Sequence, residues 1–306
     1  MAKAKQKESA RTIARRLERK RRKTELHPSR RRDGWEPLGK GFKGFFVEYS
    51  SVFDGAPCVA IFGCVDNPDG AANPSQNDKT GDFIQACFIR RDVPPDIALK
   101  TSDYRSVCHD CIHGADFQGT CYVQVPRSIL TMYKTFHRGR YTRLDLENPF
   151  HVDALRTKPF RFGTYGEVTS ISSSFWDRFW KAVAPSDWTG YTHQWKRSEM
   201  LPFRAFLMAS VDSPDELREA WRMGWRTFRV RGIGEPILRG EFECPASELA
   251  GKRLQCDSCL ACKGLGQRDR KPVNGAMPGS VTLEVHGQSA SSFKAPAIKL
   301  IQVTTL

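Results

Sequence analysis

Cys244, Cys256, Cys259 and Cys262 stand within nineteen residues, in the string CPASELAGKRLQCDSCLACKG. Four thiolates so close together are a complete ligand set for one inorganic centre. Tetrahedral zinc takes four Cys or His ligands, usually as two separated C-x2-C knuckles. A run at intervals of three, C-x2-C-x2-C with a fourth ligand at a distance, wraps an iron–sulfur cubane. Cys244 is followed by Pro245, as the distal ligand is in bacterial ferredoxins, although here the Cys-Pro comes first. The expected cofactor at these four residues is therefore a [4Fe-4S] cluster or zinc.

A second group lies upstream: Cys108-x2-Cys111-x9-Cys121, with His109 and His113 beside it. His113 is the better fourth ligand for zinc, which would close the site. A three-cysteine cubane would instead leave one iron open, the arrangement that radical S-adenosylmethionine enzymes require. Those enzymes use C-x3-C-x2-C, a spacing this chain lacks. Zinc is the expectation, with a second cluster as the alternative. Cys58, Cys64 and Cys87 sit in apolar strings and read as buried thiols. Disulfides are not needed, because 306 residues can bury a proper core. The N-terminal string MAKAKQKESARTIARR has no apolar signal region, and no stretch has the length and hydrophobicity of a membrane span. The expected setting is a reducing, cytoplasmic one, with no membrane partner.

Charge is the next informative feature. The chain carries 48 basic and 34 acidic residues, a net +14. Residues 1–32 hold fourteen Lys/Arg against Glu8, Glu18 and Glu25, leaving 34 basic and 31 acidic residues for the rest. The body is thus near neutral, and the basicity belongs to an arm. Arg15, Arg16, Arg19, Lys20, Arg21, Arg22, Lys23, Arg30, Arg31 and Arg32 would neutralise phosphates, giving salt-dependent, sequence-independent affinity for nucleic acid. Ile13 and Leu17 are too few to form a core-facing stripe, so the arm reads as disordered or as a solvated helix.

These residues need elements to position them. Residues 33–125 read as a β-rich region with the first cysteine loop: GFKGFFVEYSSVF and PCVAIFGCV flank Asp54-Gly55, a hairpin signal. A helix is expected from Pro126 to Arg138. Residues 126–243 then alternate strand and helix. PFRFGTY, TGYTHQW, RAFLMASV and WRTFRVRG are strand-like, and EFECPAS reaches Cys244. SSSFWDRFWKAVA forms a helix capped by Ser172–Ser174, and SPDELREAWRMG forms one capped by Ser213. Five strands so connected imply an α/β fold, a partial parallel barrel or an open α/β sheet. Residues 244–264 form the four-cysteine loop. Residues 265–306 are a linker followed by two final strands, VTLEVHG and AIKLIQVTT.

In parallel α/β sheets, chemistry gathers beyond the carboxyl ends of the strands. Those ends are Tyr165 and Glu167, His193 and Gln194, Asp212, Arg229 and Arg231, then Cys244. His193, Asp212 and Glu167 are the candidate catalytic residues, although each has an ordinary structural alternative. Tyr191 and Trp195 alternate with His193 only if that segment is a strand throughout.

The ordered motifs SVCHDCIHG, GTCYV, RFGTYGE, WTGYTHQW, LMASVDSPDE, GWRTFRV and CPAS…CDSCLACKG resemble a family of proteins encoded by bacteriophages, prophages and related mobile elements. That family has no established activity. The resemblance runs from about Asn77 to Gly264, outside the basic arm and the tail. It implies a mobile-element origin, a host-cell cytoplasmic setting and functional relevance for both cysteine groups.

The absence of any His-x-His pair argues against a rolling-circle nuclease, and the absence of G-x4-G-K-[ST] argues against an ATP-driven motor. Two functions are left. One is an iron–sulfur or zinc protein that associates with nucleic acid through its arm. The alternative is a redox or radical-type enzyme with an open three-cysteine cluster and a four-cysteine auxiliary cluster.

Overall fold

β2 (Pro57–Gly63) and β3 (Ile84–Arg90) carry apolar side chains at nearly every position and are buried along almost their whole length. Such strands must be covered on both faces. β1 (Gly44–Ser50) pairs antiparallel with β2, with Phe45 opposite Phe62 and Tyr49 opposite Cys58. Gly55, at φ +76°, supplies the positive angle for the turn between them. β2 in turn pairs antiparallel with β3. The computed structural model describes residues 41–67, 71–75, 80–247, 249–251, 254–266 and 275–285. The basic arm and the expected strand AIKLIQVTT lie outside them.

From β3 onward the sheet is parallel. β5 (Phe160–Tyr165), β6 (Trp188–Thr192), β7 (Met208–Val211) and β8 (Thr227–Arg231) follow in chain order, each parallel to the strand before it. β10 (Ser280–Glu284) lies against β8, and β9 (Glu241–Glu243) closes that edge. A two-residue β4 (Thr142–Arg143) pairs with β1 at the other edge. Among the described residues the result is one ten-stranded sheet, β4-β1-β2-β3-β5-β6-β7-β8-β10-β9. The fold is an open α/β sheet, and the β-rich region is continuous with it.

The helices are α1 (Pro95–Thr101), α2 (Arg105–Cys108), α3 (Leu130–His137, entered through a π turn at Val125–Ile129), α4 (Pro149–Leu155), α5 (Ser173–Val183), α6 (Pro214–Arg222) and α7 (Cys256–Cys259). No helix among the described residues is long and apolar enough to cross a membrane. Parallel strands that step in one direction with right-handed crossovers place their helices on one face. Phe175, Phe179 and Val183 of α5 are buried at helical spacing. Phe179 meets Phe160 of β5 at 5.4 Å, and Trp176 meets Phe162 at 5.3 Å. Each such side chain contributes roughly 1.5–3 kcal/mol by leaving water, so β5 and its neighbours form a stiff support.

The structure departs from the sequence reading in four places. Among the described residues the contiguous parallel run has seven strands, not five, and β4 is also parallel to β1. β10, expected only as one of two final strands, is inserted between β8 and β9. Its Ser280 and Thr282 are fully buried, and Ser280 Oγ accepts from Trp221 Nε1 at 2.9 Å. TGYTHQW is a strand only as far as Thr192, after which Gln194–Lys196 is a 3-10 turn. Side chains take the backbone donors there: His193 N donates to Glu167 Oε1 (2.9 Å) and Gln194 N to Thr192 Oγ1 (3.0 Å). Finally, Ser172 precedes α5 without a side-chain cap; its hydroxyl bonds Ser174 Oγ instead.

Candidate functional site

The C-terminal ends of β5, β6 and β7 converge on the upstream cysteine loop. Gly166 begins the convergence. It has φ +75°, and a Cβ on it would lie 2.5 Å from the Phe88 carbonyl oxygen, so only glycine lets β5 turn beneath β3. Glu167 follows, and its backbone N–H donates to Val107 O at 2.6 Å. The Glu167 carboxylate is buried and fully occupied: Thr192 Oγ1 donates to Oε2 at 2.6 Å, and His193 N donates to Oε1. The His193 ring stands over the same oxygen, with Nδ1 at 3.4 Å.

Asp212 is placed by the start of α6. Ser213 Oγ accepts from Glu216 N, and Glu216 Oε2 accepts from Asp212 N at 2.9 Å. The S-P-D-E start of the helix, legible in the sequence, thus locks the residue that precedes it. Asp212 is 3% exposed. Its Oδ2 meets His113 Nε2 at 3.1 Å, while its Oδ1 is buried with no hydrogen-bond partner. The other ring nitrogen of His113 bonds Thr120 Oγ1 at 2.7 Å. The rings of His113 and His193 are 5.3 Å apart.

The cysteine loop is pinned over the strand ends at further points. Gln194 Nε2 donates to Asp110 Oδ1 at 2.8 Å, and Arg197 Nη1 meets His109 Nε2 at 3.3 Å. Cys108, Cys111 and Cys121 lie within electrostatic reach of one another. Burial, reinforced by Cys111 and Cys121, raises the Cys108 thiol well above its ordinary value. Burial opposes charge on His193, but the adjacent Cys111 and Glu167 outweigh it and raise its pKa well above the usual histidine range. Thiols held in such a setting become thiolates most readily through a metal cation. His113, grouped with these cysteines by sequence proximity, turns toward Asp212 and His193. Thr120 was missed by sequence reasoning, since nothing in GTCYV marks it.

The second cysteine group lies on the opposite sheet face from α5. Phe160 and Phe162 face α5, so Arg161 faces away; likewise Trp188 meets Trp180 of α5, and Tyr191 faces away. Tyr191, Met208, Phe228 and Val281 there pack against Cys244 and Cys262. Cys262 feels Cys244, Cys256 and Cys259, and burial pushes its thiol up to about 12. Cys244 and Cys262 share one packed cluster, with Cys256 and Cys259 within electrostatic reach, but among the described residues neither cysteine group has its sulfurs within 4.8 Å of one another. Their loop is anchored by Gly190 N to Cys262 O (3.1 Å), by Asp82 N to Asp257 Oδ2 (2.9 Å), and by Arg226 to the carbonyls of Ala261 and Gly264.

Arg161 links the two groups. Its Nη2 donates to Tyr122 Oη at 3.2 Å, next to Cys121, and it interacts electrostatically with Cys256 and Tyr191.

Other sequence candidates have ordinary roles. Arg229 is fully buried and forms a two-bond pair with Glu241 and a further pair with Glu235. Arg231 is held by Glu243 and Glu284. Trp195 is core, donating Nε1 to Ser210 O. Cys58 and Cys87 are buried, and burial pushes both thiols to about 12; Cys64 is only half-buried. No protein-family model, no curated protein and no solved structure matches this chain.

Proposed function

We propose that this protein is a redox or radical-type metal enzyme whose reaction centre is an iron–sulfur cluster held by Cys108, Cys111 and Cys121, with a four-thiolate auxiliary centre at Cys244, Cys256, Cys259 and Cys262. One observation carries this reading. The three upstream thiols meet the polar ends of consecutive parallel strands, where α/β sheets place their chemistry. A zinc site that only held shape would need no buried Glu167 and Asp212, nor a half-buried His193, beside it. Cys108, Cys111 and Cys121 would hold three irons of a cubane and would leave the fourth for a substrate or S-adenosylmethionine. The four-cysteine loop, with Cys244 and Cys262 buried and Cys256 and Cys259 half-buried, would supply all its own ligands and suits a closed centre.

The test is anaerobic purification followed by iron, sulfide and zinc analysis, an absorption spectrum, and EPR of the reduced protein with and without S-adenosylmethionine. Iron and sulfide at both groups, with one EPR signal altered by the added ligand, are expected. A colourless protein containing zinc alone would reject the enzyme reading in favour of structural zinc at both groups.

A second reading, compatible with the first, is association with nucleic acid. It rests on the charge asymmetry between residues 1–32 and the rest of the chain. On it, the arm supplies affinity for a polyanion, and the body, of phage or mobile-element type, acts in the cytoplasm of the host.

A further inference from the structure

We infer that His113, His193 and Asp212 hold a single divalent metal ion, distinct from both thiolate centres. The ligand atoms of these three residues all lie within 4.8 Å of one another. They come from three separate parts of the chain: the cysteine loop, the end of β6 and the end of β7. Each is oriented by a second partner. His113 Nδ1 is held by Thr120 Oγ1, which turns Nε2 toward Asp212. His193 Nδ1 lies 3.4 Å from Glu167 Oε1; the ring also bonds Cys111, and an ion on Nε2 would compete with any contact that nitrogen makes to the thiol. Metal-binding histidines have this habit: one ring nitrogen is fixed by a hydroxyl, carbonyl or carboxylate, and the other binds the ion.

Asp212 is the strongest element. A carboxylate 3% exposed, with Oδ1 lacking any hydrogen-bond partner, is expensive to bury. A cation between the imidazoles would satisfy that oxygen and offset the buried charge. Two imidazoles and one carboxylate leave positions open on zinc, manganese or ferrous iron for water or a substrate oxygen. The chemistry this site offers is therefore activation of a bound oxygen ligand.

None of these ligands is a cysteine, so the inference does not depend on iron–sulfur chemistry. A zinc-only, colourless protein would end the reading of the previous section and leave this one standing.

Mn(II) is the probe, because imidazole and carboxylate ligands suit it better than thiolates do. The full chain is treated with a mild chelator, and added Mn(II) is followed through the EPR signal of the free ion. One ion per chain is expected to bind. Thr120→Val should weaken binding about tenfold, as removal of an outer partner does; Asp212→Asn and His193→Gln should weaken it further. The iron, sulfide and zinc content of the cysteines should not change in Asp212→Asn.

Thermal unfolding separates loss of the site from loss of the fold. Metal-free Asp212→Asn should melt no lower than the metal-free parent, since a buried charge with one unpartnered oxygen is gone while the amide oxygen can still accept from His113 Nε2. The rise in Tm on adding Mn(II), which binding to the folded state alone must cause, should vanish. Failure of the parent chain to bind Mn(II), binding by Asp212→Asn equal to the parent's, or loss of Mn(II) binding in a folded Cys108→Ser variant would each overturn the assignment.

Discussion

His113 Nε2 and Asp212 Oδ2 stand 3.1 Å apart across 99 positions of sequence. This contact joins a loop defined by its cysteines to a strand end defined by the helix that follows it. The site therefore depends on the capping of α6 as well as on its own residues.

Ser213→Ala should lower stability by about 1 kcal/mol, the usual cost of losing an N-cap. Because Glu216 also holds Asp212 N, the same variant should weaken Mn(II) binding. Denaturant titration and the EPR assay measure the two effects. A stability loss without any change in metal affinity would show that Asp212 is positioned independently of the cap.

The two cysteine groups should behave as separate centres. Cys256, Cys259 and Cys262 share one short loop with Cys244, so little loop-closure entropy is lost in assembling them. Cys108→Ser is expected to empty the upstream site alone. Cys256→Ser, Cys259→Ser or Cys262→Ser should each lower metal content at the other site and destabilise the fold, because structural-metal binding energy is largely folding energy. Metal analysis of folded variants decides this. If one substitution empties both sites, the seven cysteines build a single assembly, with Arg161 inside it rather than between two centres.

Arg229→Ala should destabilise the protein by about 3–5 kcal/mol, the penalty for stranding one member of a buried ion pair. Arg229 and Glu241 both have fully buried side chains. Urea denaturation with a control for metal content measures it. A loss below about 1 kcal/mol would mean that Glu235 and Glu241 find water or another cation in its place.

Cys58 and Cys87 should resist alkylation in the native protein at about pH 8, where a thiol with a pKa near 12 is almost wholly protonated. Both should react after unfolding. Mass spectrometry of iodoacetamide adducts with and without denaturant reads this directly, and rapid native labelling of either would contradict their burial.

Deletion of residues 1–32 should remove most nucleic-acid affinity and flatten its dependence on salt, since each neutralised phosphate adds about 0.9 to the logarithmic slope. The secondary structure of the body should be unchanged by circular dichroism. Binding curves that coincide across a salt series would reject the arm as the contact.

Local chemistry was legible in the sequence wherever it is set by near neighbours. The Asp54-Gly55 hairpin, the Ser213 cap, the buried stripe of α5 and the four-cysteine loop all depend on spacings of a few residues. The places of Glu167, His193 and Asp212 just beyond strand ends could likewise be counted along the chain. Tertiary structure decided which of these residues meet. His113 lies two positions from Cys111, yet its ring faces Asp212, since Thr120 fixes one nitrogen and so aims the other. TGYTHQW ends its strand at Thr192 because Glu167, 26 positions earlier, takes the His193 N–H. β10 reads as one of two final strands, but it enters the sheet between β8 and β9, pairing in parallel with both. In each case hydrogen bonds or pairings between distant segments determine the outcome, and such partners leave no periodic trace in the sequence of either segment.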